Sequence, residues 1–228
     1  MMHWKTRQRL TNWALGGVTL LFLAYQWFPI LTMGVLSFTG PDGGTTLPMR
    51  GVSLHWYEEL LRVSTIDDFK PPMYRSLVLA LACSVATAAL SLAAAQAMRA
   101  RARGSSVFFY LILLGIMAPG ILVGFGAAIV ARIFELPLAW YTTTFAVHVV
   151  WTLPFGFLIM LAAFHRFDRR LEEAALTLRA SRWTAFWRIT FPLVLPGVIG
   201  AALFGFTLSY DEFGRSFFAT GTEQTLPL

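Results

Sequence analysis

The chain is poor in cysteine, in lysine and in charge of either sign. Its 228 residues include one cysteine, Cys83, which excludes an intrachain disulfide framework and a multi-cysteine zinc or iron–sulfur site. Charged residues make up 13% of the chain, against roughly 25% in an ordinary soluble domain. The two lysines, Lys5 and Lys70, lack the glycine-rich context of a phosphate-binding loop. A disulfide-stapled secreted domain, a soluble enzyme and an ATPase of the P-loop kind are therefore excluded.

Hydrophobic residues dominate the composition of the chain. They make up 57% of the chain, and the mean hydropathy is +0.62. Five stretches without a charged residue contain 32, 23, 28, 30 and 22 residues, and each exceeds the roughly 20 residues that a helix needs to cross a bilayer. The sequence predicts an all-α, polytopic membrane protein with a single transmembrane domain over residues 1–228. Its spans are expected near residues 13–36, 76–98, 107–131, 142–163 and 190–210.

The basic residues predict the orientation of these spans. If the N-terminus is cytoplasmic, 12 of the 18 basic residues but 3 of the 12 acidic residues fall on the inner side. Because short cytoplasmic loops are enriched in Lys and Arg, the chain is predicted to begin inside and, after five spans, to end outside. The first apolar run is too long for a secretory signal and lacks a small-residue cleavage site, so we expect a retained helix.

The net charge of +6 does not point to nucleic acid. Its basic residues lie in short clusters between apolar runs, whereas a nucleic-acid site needs a continuous basic face. The cluster formed by Arg99, Arg101 and Arg103 is interpreted as a topology anchor that also contacts anionic membrane lipid.

Proline and glycine interrupt the later spans. Span 3 contains Met117-Ala-Pro-Gly120, span 4 contains Pro154, and span 5 begins with Pro192 and Pro196. Such residues leave backbone groups that neighbouring helices or a water-filled cavity must satisfy. Two interpretations stay open, because the interruptions are typical both of simple packing kinks and of a translocation path.

The longest inner connection, residues 164–189, carries the strongest local pattern. Asp168 is predicted to cap a short helix with Glu172 and Glu173 in its first turn. Ser181 is predicted to cap a second short helix that ends at Pro192. The apolar sides of these helices pack either on the protein's own inner surface or against a cytoplasmic partner.

This loop resembles that of the permeases of binding-protein-dependent ABC importers. In that family the loop reads E-A-A, three residues, G, nine residues and I-x-L-P before the next span. Here Glu173-Ala-Ala175 is followed by three residues, Arg179, nine residues and Ile189-Thr-Phe-Pro192. Phe191 in place of leucine is tolerable in volume. Arg179 in place of glycine is costlier, since a turn with positive φ is expected there and a non-glycine residue loses roughly 1–2 kcal/mol in it.

Other stretches resemble the spermidine/putrescine-type branch of the same family. They are Trp56–Leu61, Leu153–Phe155, Leu171–Ala175, Phe206–Phe213, Phe217–Gly221 and Thr225–Leu228. Family members carry a sixth helix beyond the point where this chain stops. We expect either a chain truncated before that span or a five-span variant.

The resemblance implies a subunit of an ATP-driven importer in the bacterial cytoplasmic (inner) membrane, with the fold of a type I permease. It would form part of the translocation pathway for a small solute, a cationic one such as a polyamine. The implied partners are a dimer of ATP-binding subunits, a second permease subunit (a copy or a paralogue) and an extracytoplasmic solute-binding protein. ATP and Mg would be bound by the partner ATPase, so this chain is expected to be non-catalytic and to bind no cofactor or metal. The residues implied in ATPase docking are Glu172, Glu173, Ala174, Ala175, Leu178, Arg179, Ala180 and Ser181.

A second group of residues lies at the outer end of span 5. Tyr210, Asp211, Glu212 and Phe213 combine two carboxylates with two aromatic rings. They are either an ordinary solvated helix end or a substrate pathway that attracts a cationic solute, with the rings aiding through cation–π contact. His148 in span 4 is interpreted as a hydrogen-bonded structural histidine rather than a proton relay.

Two rival functions come from other classes. An ion-coupled secondary carrier usually needs charges buried in the middle of its spans, and the five predicted spans contain no Asp, Glu, Lys or Arg. A membrane-embedded enzyme needs a convergent cluster of His, Asp, Glu or Cys near the membrane surface, and the sequence shows no such cluster.

Overall fold

The structure, a computed structural model, describes residues 2–44, 46–100 and 104–228. Arg101 and Arg103 of the predicted topology anchor lie outside the described residues. Contacts divide the chain into two compact units, residues 1–68 and 69–228. The expectation of a single domain over residues 1–228 stays a prediction.

The first unit is dominated by one long apolar helix. This helix, α1, covers Met2–Leu36, and none of its most hydrophobic window is buried by other described residues. An apolar stretch of 30 residues, Arg7–Leu36, that no other described residue covers is suited to lipid contact. A short helix, α2, covers His55–Leu60. The hydroxyls of Ser37 and Tyr57 lie 2.7 Å apart and tie α2 to the end of α1.

The second unit is also helical. Its described elements, together with the helix that leads into it, are α3 (Val63–Arg99), α4 (Ser105–Met117), α5 (Gly120–Ile133), α6 (Phe145–His165), α7 (Arg169–Thr177), α8 (Arg182–Ala185), α9 (Phe191–Tyr210) and α10 (Ser216–Ala219). A π-helical turn, Trp140–Thr144, leads into α6, and another, Phe186–Thr190, joins α8 to α9.

The core of this unit lies between α6 and α9, with α3 and α4 beside them. Its buried members are Ala94, Ala95, Ile112, Phe157, Met160, Phe164, Val194 and Ala201. The hydroxyls of Thr87 on α3 and Thr152 on α6 share a hydrogen bond of 2.5 Å. A Cβ at Gly156 or at Gly205 would collide with Thr87, so these two glycines allow the three helices to approach closely.

Four of the five predicted spans are confirmed as long apolar helices. The described residues contain candidate spans over Arg7–Leu36, Asp68–Arg99, Trp140–His165 and Arg182–Tyr210. They enclose the ranges predicted at 13–36, 76–98, 142–163 and 190–210. The boundaries are wider than predicted because the helices extend past the apolar runs into flanking polar residues.

The third span differs from its prediction. Instead of one helix over residues 107–131, α4 and α5 meet at a bend of 106° around Ala118 and Pro119. Pro119 has no N–H for the helix ladder and disfavours helical geometry in the residue before it. Ala118 is accordingly extended, with φ −69° and ψ 125°.

The prediction that the second short loop helix ends at Pro192 is wrong. From Arg182 to Tyr210 the chain forms one candidate span that includes α8, the π-helical turn and α9. Pro192 is the second residue of α9 and follows the π-helical turn almost directly. The wider π turn directly before it shifts the hydrogen-bond register, so the helix continues without a break.

The residues after α9 fold back over the outer ends of the spans. The Thr143 hydroxyl donates to the carbonyl of Ala219 at 2.6 Å. Further along, the Arg75 guanidinium donates to the carbonyl of Gln224 at 3.1 Å, and the Ser76 hydroxyl accepts the N–H of Leu226 at 2.7 Å. This tail, residues 211–228, is therefore held by α3 and by the turn that leads into α6.

Candidate functional site

The inner loop forms the two short helices that the caps predict. The Asp168 carboxylate accepts the N–H of Arg170 at 2.9 Å at the start of α7. The Ser181 hydroxyl accepts the N–H of Thr184 at 3.0 Å at the start of α8. Both predicted caps are confirmed, because capping depends on residues two or three positions apart.

Arg179 turns the chain between the two helices. Its φ is 64°, which confirms the positive-φ turn expected at this position. The N–H of Arg179 donates to the carbonyl of Leu176 and the N–H of Ala180 donates to that of Ala175, both at 3.0 Å. These two bonds form a Schellman motif, whose turning residue is most often glycine.

We expect Arg179→Gly to raise the free energy of unfolding by about 0.5–1 kcal/mol. The substitution removes left-handed strain from a residue with a Cβ, and the gain exceeds the added freedom of glycine in the unfolded chain. Denaturant or thermal unfolding of the purified complex measures the change. Arg182→Gly is the matched control inside α8, and it should lower stability. A loss of stability in Arg179→Gly would contradict the proposed strain.

The predicted docking residues divide into an exposed set and a half-buried set. Exposed to solvent are Glu173, Ala174, Leu178, Arg179 and Ser181, whereas Glu172, Ala175 and Ala180 are half-buried. Leu178 is 84% exposed and Trp183 on α8 is 71% exposed, although both are apolar. A cleft of about 530 Å³, with Leu176 and Trp183 in its wall, lies between α7, α8 and the inner end of α3.

Glu172 faces the protein. Its carboxylate lies 2.9 Å from the Arg99 guanidinium, which also donates to the Gln96 side chain at 2.9 Å. The same guanidinium lies over the rings of Phe164 and Phe167, at 4.8 and 4.9 Å from their centroids. Arg99 therefore joins α7 to the inner ends of α3 and α6.

Sequence reasoning assigned Arg99 to topology and missed this pairing. The available signal was that Glu172 is one of three acidic residues on the strongly basic inner side, so a basic partner was to be expected. Which arginine supplies it depends on a contact across 73 residues of chain.

Removing one partner of the Arg99–Glu172 pair should cost about 1–3 kcal/mol of stability. The two side chains are 12% and 24% exposed, so either single change leaves a largely buried charge without its partner. In a double-mutant cycle, Arg99→Met with Glu172→Gln should lose less than the sum of the single variants. Chemical unfolding of the purified complex gives the four values.

The control cycle uses Arg62 and Glu59, a pair that is 63% and 36% exposed. Its coupling should be at most about 1 kcal/mol, because solvent screens exposed pairs. Additive effects at Arg99 and Glu172 would show that the pair does not hold α7.

The residues predicted at the outer end of α9 do not share one environment. Asp211 is exposed, Phe213 is 50% exposed, and the Tyr210 ring stacks on Phe206 at 5.7 Å. The Glu212 side chain is 11% exposed and forms an ion pair of 3.0 Å with Arg215. Asp211 is therefore the carboxylate of this group that faces solvent.

Arg215 is a site residue that sequence reasoning missed. Its side chain is 8% exposed, and its guanidinium lies 3.7 Å from the centroid of the Trp151 ring. It also donates to the carbonyl of Ala118, at the break of the third span, with a distance of 3.4 Å. Its position after the last apolar run indicated only an outer-side charge.

His148 contacts the residue that follows Arg215, and both of its ring nitrogens form hydrogen bonds. Its Nδ1 is 2.8 Å from the hydroxyl of Ser209, and its Nε2 is 2.8 Å from that of Ser216. The side chain is 1% exposed. The interpretation as a hydrogen-bonded structural histidine is confirmed, because one ring nitrogen donates and the other accepts.

Comparison with protein families identifies the chain. Residues 87–214, more than half of the sequence, match the family described as "Binding-protein-dependent transport system inner membrane component". The chain belongs to this family. It is a membrane-spanning subunit of a bacterial inner-membrane importer, and the matched region contains both the loop at α7 and α8 and the Glu212 carboxylate.

Named relatives cover most of the chain. The spermidine/putrescine transport system permease protein PotC of Haemophilus influenzae is 29% identical over 206 residues, which is 90% of this chain and 78% of PotC. The putrescine transport system permease protein PotI of Escherichia coli K12 is 28% identical over 219 residues, or 92% and 76% of the two chains. The molybdenum transport system permease protein ModB of H. influenzae is 46% identical over 65 residues, 27% of this chain and 28% of ModB.

Proposed function

We propose that this permease subunit pairs with a second permease, a copy or a paralogue, to enclose a pathway for a small cationic solute of the polyamine class. A solute-binding protein delivers the solute from outside, and a dimer of ATP-binding subunits drives the cycle from inside. The chain itself is non-catalytic and binds no cofactor, since ATP and Mg belong to the ATPase subunits. The surface that supports this proposal is the exposed apolar face of the inner loop.

That face fits a protein partner rather than solvent. Leu178, directly after α7, is 84% exposed, and Trp183, at the start of the candidate span Arg182–Tyr210, is 71% exposed; the predicted topology places both at the cytosol. Exposed apolar side chains beside small residues such as Ala174 let a partner surface approach closely. Glu173 adds an exposed charge for orientation. The ATPase is the partner that this family's transport cycle requires at the inner side.

The Arg99–Glu172 pair connects α7 to the spans, so it provides a route by which closure of the ATPase can move them. When the ATPase dimer closes, it moves α7, and the Arg99–Glu172 pair carries that displacement to the inner ends of α3 and α6. The break between α4 and α5 and the π-helical turn before α9 are the interruptions at which the spans can bend. A ligand or partner shifts such a bundle only as far as it contacts its two states differently.

The exposed carboxylate after the outer end of α9 supports the proposal of a cationic solute. Asp211 is exposed there, and the aromatic residues Tyr210 and Phe213 lie within two positions of it in the chain. Carboxylates and aromatic faces attract ammonium groups. The printed names of PotC and PotI specify spermidine and putrescine as solutes of those proteins.

Uptake by proteoliposomes that contain the complete importer tests the proposal. We expect ATP-dependent uptake of radiolabelled putrescine or spermidine, and we expect Asp211→Asn to raise the KM about threefold to tenfold, because an attracting charge is lost. The control is Asp42→Asn, an exposed carboxylate in the outer connection after α1.

An oxyanion is the main alternative solute, because the relative ModB is named as part of a molybdenum transport system. ATP-dependent uptake of molybdate without uptake of either polyamine would overturn the cationic solute and leave the importer role intact. Polyamine uptake that does not require the ATPase subunits would overturn the importer mechanism itself.

A further inference from the structure

The Arg215 guanidinium occupies a site with the chemistry of an organic-cation receptor. Its polar contacts are the Glu212 carboxylate at 3.0 Å and the Ala118 carbonyl at 3.4 Å, and the Trp151 ring lies under it at 3.7 Å. A carboxylate, a carbonyl and an aromatic face together satisfy a primary ammonium or a guanidinium group.

The break in the third span contributes to the site. Ala118 follows the last turn of α4, where carbonyl groups lack helical donors and the helix dipole favours a cation. Secondary transporters build many of their ion and substrate sites at discontinuous helices of this kind. The Ala118 carbonyl is 97 residues from Arg215 in sequence, so the tertiary structure brings this acceptor to the guanidinium.

Two glycines make room for the cation and for the chain that carries it. A Cβ at Gly120 would lie 2.9 Å from Nη1 of Arg215, and a Cβ at Gly124 would overlap the Arg215 carbonyl oxygen. The start of α5 is therefore shaped around residue 215. A larger side chain at position 120 would fill the space that the guanidinium occupies, and one at position 124 would displace the backbone of Arg215.

We propose that Glu212, Trp151 and the Ala118 carbonyl form a binding subsite for an ammonium group of the solute, and that Arg215 occupies this subsite as an internal competitor. The inference rests on the proposed cationic solute. When a solute ammonium enters, it exchanges with the guanidinium, and Glu212 keeps a counter-charge throughout. The exchange leaves no unpaired carboxylate at this largely buried position, where an uncompensated charge is costly.

The exchange also selects the solute. A neutral solute or an oxyanion such as molybdate cannot replace Arg215 beside Glu212, whereas an alkylammonium can. Residues 211–215 connect α9 to the four-residue helix α10, and Gly214 lies in this connection.

The test measures the KM for putrescine uptake by the complete ATP-driven importer in proteoliposomes. Because Arg215→Gln removes the competitor, we expect its KM to fall about tenfold. Arg215→Gln combined with Glu212→Gln removes the receptor carboxylate as well and should raise the KM above that of the wild type. Arg132→Gln, an exposed arginine at the end of α5, is the matched control and should leave the KM unchanged.

A purely structural ion pair gives a different result. In that case Arg215→Gln lowers the amount of assembled complex or its kcat, and the KM stays within twofold of the wild type, which overturns the inference. If Arg215→Gln does not assemble, Arg215→Lys decides, because lysine keeps the charge but lacks the planar fork that holds Glu212. A KM reduced twofold to threefold in Arg215→Lys supports competition, and an unchanged or raised KM overturns it.

Failure of the proposed function has a separate signature. If wild-type proteoliposomes take up molybdate but neither putrescine nor spermidine, the cationic solute and the subsite are both overturned. If the wild type takes up putrescine and the Arg215 variants keep its KM, the subsite alone is overturned.

Discussion

Ala174→Trp should reduce ATP-driven uptake about 100-fold or more without preventing membrane insertion. Ala174 is exposed on the solvent-facing side of α7. An indole at this position would keep an approaching ATPase surface away from Leu178 and Glu173. A loss of about 3 kcal/mol of docking free energy corresponds to the expected factor. Uptake of labelled solute by proteoliposomes and co-purification of the ATPase subunits measure the two sides of the effect.

The matched control is Ala97→Trp. Ala97 is also an exposed alanine near the inner side, in the last turns of α3, but it lies outside the docking helices. It should keep both uptake and co-purification of the ATPase. Wild-type uptake by Ala174→Trp would show that α7 is not the docking helix.

Gly124→Val should lower the stability of the assembled protein by about 2–3 kcal/mol or more. A Cβ at this position meets backbone atoms of Arg215, with its carbonyl carbon at 3.1 Å and its Cα at 3.2 Å. Backbone cannot rotate away as a flexible side chain can, so the tail must move. A melting temperature roughly 4–12 °C below that of the wild type is expected for a chain of this size.

Gly126→Val provides the control for this substitution. Gly126 lies two residues further along α5, and a Cβ there has no neighbour within 4 Å among the described residues. The helix-propensity cost of valine is common to both variants, so their difference isolates the close approach of the tail. Equal melting temperatures for the two variants would mean that the tail does not pack on Gly124.

The loop that contains α7 and α8 shows how much of the structure short-range sequence pattern can predict. The caps at Asp168 and Ser181 and the positive φ of Arg179 were predicted correctly, because each depends on hydrogen bonds within a few residues. The end predicted at Pro192 was wrong because proline is compatible with the first turn of a helix that continues. The π-helical turn that makes this possible has no reliable local signature.

The third span shows a feature that short-range sequence pattern could not predict, the size of a bend. Its proline and glycine residues announced an interruption, but they did not distinguish a mild kink from the bend of 106°. The size of the bend depends on what fills the space, and here Arg215 enters it from the tail. A residue 97 positions away in the chain leaves no periodic trace near Pro119.

Local pattern was enough to predict the class of this protein, the ranges of four spans and the two loop helices, because apolar length and capping act through solvent and near neighbours. The orientation of the spans, which follows from charge asymmetry, stays a prediction. Which charges are paired depends on the folded chain. It placed Glu172 against Arg99 and Glu212 against Arg215, and it left Glu173 and Asp211 exposed. The physical reason is that a buried charge takes whichever partner packing brings within hydrogen-bond distance, and that distance is a property of the folded chain.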